Sequence, residues 1–205
     1  MQCERFVNDH HSYIAWADRP SRKLYWRLFD GEKAVGVFGL GSAFARPKAI
    51  AEWMDAHGVA FNELGNNIVY CLHSAPKNAG SQFLKLIRRD AVLWWRERYG
   101  DELKAMQTFI LPPRNGATYL ADNWQMIGMT SGHSQSCRTI YGDEEVEGAE
   151  TRTFKNGETK RLLREYVDTD RKLIFVRTLD KIRPCKKQGL FADVESNSRS
   201  ACSTC

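Results

Sequence analysis

Three stretches of this 205-residue chain hold side chains whose types and spacing could do chemistry. The first reads Ser74-Ala-Pro-Lys77-Asn78-Ala79-Gly80-Ser81, between an apolar strand-like run and a long helical pattern. Small and amide residues there let the backbone N–H groups of a helix start approach a ligand closely. The helix dipole favours an anion at that place, and Lys77 adds a full charge. An ordinary capped helix start fits the same letters. The second stretch is the pair His10-His11, two imidazoles suited to moving protons near neutral pH. His10 falls on the apolar stripe of a helix, so a core-edge histidine is the plain alternative; His11 points elsewhere. The third is Asn115 to Gly128, with Tyr119 placed three residues before Asp122. A phenol, with an ordinary pKa of about 10, suits protonation of a departing thiolate or amine; a packing tyrosine would look the same. Glu63, His73 and His133 are further polar groups near element ends.

The letters also exclude chemistry. No HExxH, phosphate-binding P-loop or nucleophile elbow occurs, and Val37-Phe-Gly-Leu-Gly41 sits inside a strand pattern rather than a dinucleotide loop. The six cysteines are scattered, which fits reduced thiols better than a disulfide framework. Cys202 and Cys205 form one C-x-x-C, too few ligands for a structural zinc site, and no other metal set stands out. The net charge is +5. Two basic sets could meet phosphates: Lys85, Arg88, Arg89, Arg96 and Arg98 on a helix, and Arg177, Lys181, Arg183, Lys186 and Lys187 near the end. Solvated surface explains them equally well. No apolar run reaches the 18 or so residues of a membrane span, and the first residues lack a signal core, so the expected place is the cytoplasm.

These groups need elements to hold them. Cys3, Phe6, Val7, His10 and Ile14 mark one face of a first helix. Lys23–Phe29 and Lys33–Leu40 read as a hairpin, with Asp30-Gly31 as a type I′ turn. Pro47 opens a helix carrying Ile50, Trp53, Met54 and His57 on one side, stopped by Gly58. A strand over 67–73 leads through the small-residue loop to a helix over 81–98, whose apolar stripe is Leu84, Ile87, Ala91 and Trp94. Strands over 104–111, 124–128 and 173–178 and a short helix over 115–123 complete the pattern. The order implies an α/β fold with a central mixed sheet flanked by helices, the strand–helix–strand unit over 67–111 being a parallel crossover. One domain over 1–188 is expected, with 142–160 as a mobile insertion and 189–205 as a flexible tail.

The loop before the long helix and the segment Ala117-Thr-Tyr119-Leu-Ala-Asp-Asn123-Trp124-Gln-Met-Ile-Gly128 together resemble the GNAT acyltransferase superfamily. Within it, His10-His11, Glu63-Leu64, Lys77-Asn-Ala-Gly80-Ser81-Gln-Phe-Leu84 and Gly116–Gly128 are similar to Mom-like phage DNA-modification proteins and a related Druantia-type domain. The likeness spans about residues 3–135. It implies an acyl-CoA or related donor held by Ser74, Lys77, Asn78, Ala79, Gly80 and Ser81. It implies catalytic roles among Tyr119, His10, His11, Glu63 and Asp122, and double-stranded DNA as the partner, held by Arg88, Arg89, Lys181, Arg183, Lys186 and Lys187. The Mom-like side of the likeness also implies iron, although Leu111-Pro-Pro-Arg-Asn-Gly116 stands where those proteins carry a polar stretch. The activity implied is transfer of a small acyl or aminoacyl-derived group to a base amine. The base would be flipped from the stack against Trp16, Tyr25, Trp26 or Phe44. Two other readings fit the same letters: a GNAT-like nucleic-acid-binding module without catalysis, and a conventional N-acetyltransferase of small molecules or proteins.

Overall fold

The computed structural model describes residues 2–11, 22–140, 146–153 and 157–179. The N-terminal helix α1, Gln2–His10, buries Cys3 and Val7 and leaves His10 exposed at its end. Ile14 and Trp16 lie outside the described residues. Strands β1 (Lys23–Asp30) and β2 (Lys33–Ser42) form the expected antiparallel hairpin. Its two connecting residues are Gly31 and Glu32, one position later than expected. Of these only Gly31 has positive φ, so the turn is not type I′, which needs positive φ at both. Helix α2, Lys48–His57, buries Ile50, Trp53 and Met54 and ends at Gly58 in the left-handed region. His57 is exposed, its ring stacked on Trp53.

Strand β3 (Leu64–Leu72) leads to the long helix α3 (Ala79–Tyr99), followed by β4 (Ala105–Ile110), α4 (Ala117–Ala121), β5 (Gln125–Met129) and, after an excursion, β9 (Leu173–Thr178). The stripe of α3 runs through Phe83, Leu84, Ile87, Ala91 and Trp95. Trp95, 1% exposed, is the core tryptophan in place of the expected Trp94. The step Ile87–Ala91–Trp95 keeps to one turn plus a little, whereas Trp94 falls off that line.

The six-stranded sheet has the order β1-β2-β3-β4-β9-β5. β3 and β4 are parallel and their neighbours antiparallel, so the sheet is mixed as expected. Helices α3 and α4 cover one face, packing Phe83, Ile87, Trp95 and Tyr119 on Trp26, Phe38, Met106 and Phe175. On the other face α2 packs on Leu64, Ala105, Ile174 and Val176, and α1 on Val37, Val69 and Cys71. The result is a three-layer α/β fold.

The stretch 142–160 holds strands that its composition does not announce. It contributes β7 (Ala149–Thr153) and the start of β8 (Thr159–Asp168), which with β6 (His133–Ile140) form a second, antiparallel sheet of order β6-β8-β7. Backbone pairing with β8, from Ala149↔Leu163 to Thr153↔Thr159, overrides a composition poor in apolar residues. The tail over 189–205, and with it the C-x-x-C, lies outside the described residues.

Candidate active site

The parallel pair β3–β4 supplies the site. Its ladder has three registers, Leu64↔Ala105, Gly65↔Met106 and Asn66↔Gln107, and then the strands part. One cause lies on the other side of β3. Gly39 pairs with Val69 and Leu40 with Asn67, so Ile68 is an extra residue, a bulge that bends the strand. The other cause is the polar wedge at the fork. Asn67 Nδ2 donates to Gly39 O and Val69 O at 2.9 and 2.7 Å. Its Oδ1 accepts from the Tyr119 hydroxyl at 2.6 Å and from Thr108 Oγ1 at 3.2 Å. Buried and with both its donors and its acceptor engaged, Asn67 fastens β2, β3, β4 and α4 at one point.

Beyond the fork lies a crevice of about 400 Å³, lined by 67–72 of β3, 108–110 of β4, His10 of α1 and His11 just after it, and 114–119. That volume suits a small ligand or the reacting end of a larger one. Its position, outside the carboxyl ends of parallel strands, is where open α/β sheets bind ligands. Past Asn66 and Gln107 the facing edges of β3 and β4 have no ladder partner across the gap. Those N–H and C=O groups can pair with an extended ligand laid between them.

The sequence candidates divide around this crevice. Tyr119 is at its centre, its hydroxyl donating to Asn67 while its ring stands edge-on to Tyr70 and Trp124. Gly116, with φ 72°, sets the start of α4 so closely on Phe175 that a Cβ would lie 2.5 Å from the ring. His10 and His11 both line the crevice. The His10 ring stacks on His73 at 3.9 Å and 9° and meets Phe6 edge-on. Burial, and secondarily the Arg114 guanidinium, hold the His11 imidazole below its ordinary pKa, which favours the neutral, proton-accepting form.

Other candidates have different work. Asp122 is buried behind the crevice in a two-point pair with Arg88, at 2.7 and 2.8 Å, and also accepts from Trp124 Nε1. That geometry makes Asp122 an anchor of α4 on α3 and removes Arg88, whose side chain is 14% exposed, from the phosphate-contacting set. Glu63 lies at the opposite end of β3, bonded to Lys104 and to Ala60 N–H, both of which hold its carboxyl below the usual range. It is therefore a structural group remote from the fork. His133 pairs with Asp168 on the second sheet.

The small-residue loop joins β3 to α3 but does not line the crevice itself. Ser74 and Asn78 have positive φ, and no side chain caps the start of α3. Gly80 is buried, and a Cβ there would sit 2.8 Å from Thr118 Cγ2 and 3.0 Å from Leu72 and from the Tyr70 hydroxyl, which donates to Gly80 O. Gly80 is thus required by packing of α3 on β3 and α4. Lys77 is exposed in this loop. Of the helical basic set, Arg89 lies 3.9 Å from Asp90, Arg96 pairs with Glu102, and Arg98 sits over the Tyr99 ring. Arg177 donates to Asn123 O, while Lys181, Arg183, Lys186 and Lys187 lie outside the described residues. Tyr25 and Trp26 are buried and cannot stack a base, whereas Phe44 is 63% exposed beside Phe109.

Sequence reasoning missed Asn67, Thr108 and Arg114. Asn67 had a signal: an amide pair, Asn66-Asn67, opening an apolar strand is unexpected unless its hydrogen bonds are met. Among the described residues no group of three or more His, Cys, Asp or Glu converges that could hold iron. No described helix is long and apolar enough to cross a membrane.

No family model and no curated protein matches the sequence. Among solved structures, the chain is similar to the ribosomal-protein-S5-alanine acetyltransferase from Vibrio fischeri, with TM-score 0.38 and 10% identity over 75% of this chain and 59% of that one. It is also similar to FeeM, an N-acyl amino acid synthase from uncultured soil microbes, with TM-score 0.36 and 10% identity over 79% and 75%. The chain thus spans 59% of the first protein's length, under two thirds, and likenesses of this size assign no activity.

Proposed function

We propose that this protein is a GNAT-type acyltransferase that moves an acyl group from a thioester donor, such as acyl-CoA, to an amine. The observation that carries the reading is the fork: two parallel strands that pair over three registers and then part around Asn67, Thr108 and Tyr119. An extended thioester arm fits the unpaired edges of β3 and β4 as an added strand. Its phosphates would lie toward Asn78–Ser81, where the start of α3 and Lys77 favour anions. The acceptor would enter from the α1 side, past His10 and His11.

In the reaction the amine nitrogen forms a bond to the thioester carbonyl carbon and the C–S bond breaks. His11 takes the proton lost by the amine, and Tyr119 protonates the departing thiolate, so amine and thioester become amide and thiol. The Tyr119 hydroxyl must turn from Asn67 toward the sulfur for that step. No step requires a metal.

As acceptor, a base amine in DNA is the finer reading. It is supported by the Mom-like stretches around His10, Lys77 and Tyr119 and by exposed Phe44 as a stacking surface beside crevice-lining Phe109. Nucleoside mass spectrometry on DNA from cells expressing the wild type or Tyr119→Phe tests it: an acylated nucleoside present with the first and absent with the second is expected. Duplex titration at two salt concentrations is the companion measurement. Four phosphate contacts give a log–log slope of about −3.6, and a flat response removes DNA as the acceptor. Duplex binding without any thioester turnover would favour a module that has lost catalysis.

A further inference from the structure

Asn66 and Gln107 are the last register pair of β3 and β4, one step before the strands part. Each stands two residues after a side chain that packs with α2, Leu64 and Ala105, so both amides lie on the face that α1 and α2 share. They are 2% and 0% exposed. Asn66 Nδ2 donates to Asn67 O and Gln107 Nε2 to Ala45 O, each at 3.3 Å. Among the described residues, Asn66 Oδ1 and Gln107 Oε1 have no donor. Asn67, one position on, is the contrast: its oxygen takes two donors. Buried acceptors in folded proteins are met as a rule, and two unmet ones in a single register pair mark a place for donors that come from outside the chain.

That place adjoins the crevice. Asn67 and Thr108, the next residues on each strand, line it, and so does Phe109, two past Gln107 on the same face. The connection 43–47 crosses the pair, with Ala45 O accepting from Gln107 and Ala43 N–H donating to Leu64 O at 3.3 Å. None of 43–47 is buried, so lifting this connection gives up little apolar packing. A primary amine has two N–H groups and one lone pair on nitrogen. Giving one N–H to each oxygen leaves the lone pair free for the thioester carbon. Neutral amide oxygens also hold the amine without the charge of a carboxylate, which would favour the unreactive ammonium. We infer that Asn66 and Gln107 hold the acceptor amine by its two N–H groups and so select a primary amine over a secondary one. This rests on the acyl-transfer reading for the fate of the amine, but the number of N–H groups held can be read from binding alone.

The test uses the full chain with aniline, N-methylaniline and N,N-dimethylaniline, which carry two, one and no N–H and are uncharged at neutral pH. Binding is followed by NMR, on the probe signals for affinity and on the Asn66 and Gln107 side-chain amide signals for place. Turnover is followed by thiol release from acetyl-CoA. Affinity should fall about 2- to 10-fold for each N–H lost, the worth of one ordinary hydrogen bond, and both amide signals should shift with aniline. Asn66→Leu and Gln107→Met, close in size to the residues they replace, should each remove one step, and the double variant should bind all three probes alike. Neither oxygen has a donor to lose, so the urea midpoints should stay near the wild-type value. The order of the three probes on the wild type is a test that needs no variant. Equal affinities on the wild type, no binding of aniline, or an unchanged order in a folded double variant overturns the inference. The expected order without thiol release would instead fault the acyl-transfer reading alone.

Discussion

Replacing Tyr119 by Phe removes one oxygen from the centre of the fork. The lost hydrogen bond, 2.6 Å to Asn67 Oδ1, is buried, but Asn67 Oδ1 still accepts from Thr108 Oγ1 and both Nδ2 bonds of Asn67 survive. No acceptor is orphaned, so the stability loss should be that of one ordinary hydrogen bond, about 0.5–1.5 kcal/mol. The ring contacts with Tyr70, Trp124 and Phe175 are unchanged. Loss of a general acid lowers the rate about 10²–10⁴-fold, equivalent to about 2.7–5.5 kcal/mol in the barrier. The two magnitudes separate the roles: a small shift of the denaturation midpoint with a large fall in kcat, KM for the donor being kept. Thiol release from acetyl-CoA, beside urea unfolding of the same samples, measures both. A kcat within a few-fold of wild type would refute the acid role and leave Tyr119 as a packing residue. A rate loss accompanied by unfolding would show that the hydroxyl holds the fork together.

Three further outcomes follow from contacts in the fold. Asp122→Ala leaves the Arg88 guanidinium and Trp124 N–H without their buried acceptor, and should cost about 3–5 kcal/mol in chemical denaturation; a loss under about 1 kcal/mol would mean that solvent reaches Arg88. Gly80→Ala raises helix propensity by about 1 kcal/mol. It also places a Cβ 2.8 Å from Thr118 Cγ2 and 3.0 Å from Leu72 and the Tyr70 hydroxyl, so net destabilisation of about 1–3 kcal/mol is expected from overpacking. A rise in Tm would contradict that packing. His11 has a depressed folded-state pKa, so its contribution to stability is present above the unfolded value of about 6.5 and is lost as pH falls below it toward the folded value. Activity that needs neutral His11 should decline at the lower end of the same window. His11→Asn should flatten both profiles; unchanged profiles would place the titration elsewhere.

Periodicity and punctuation in the sequence carried most of the fold. The β1–β2 hairpin, the α2 face of Ile50, Trp53 and Met54, and the alternation of β3, α3 and β4 follow from local rules: which face is apolar and where Gly or Pro stops an element. Those rules also put Tyr119 and the His10-His11 pair on elements bordering one crevice. They failed where hydrogen-bond partners, near or far in the chain, decide the outcome. The pairing of 149–153 with β8 draws order from hydrogen bonds that composition does not announce. Asp122 looked like a catalytic carboxylate, but Arg88, 34 positions earlier, turns it into an anchor. The fork itself depends on Tyr119 meeting Asn67 across 52 positions and on a bulge at Ile68 opposite Gly39 and Leu40. A sequence records how each segment distributes its own apolar and polar groups. Which acceptor a buried donor finds, and therefore whether a carboxylate, phenol or imidazole is spent on structure or left for chemistry, is decided only when the layers pack.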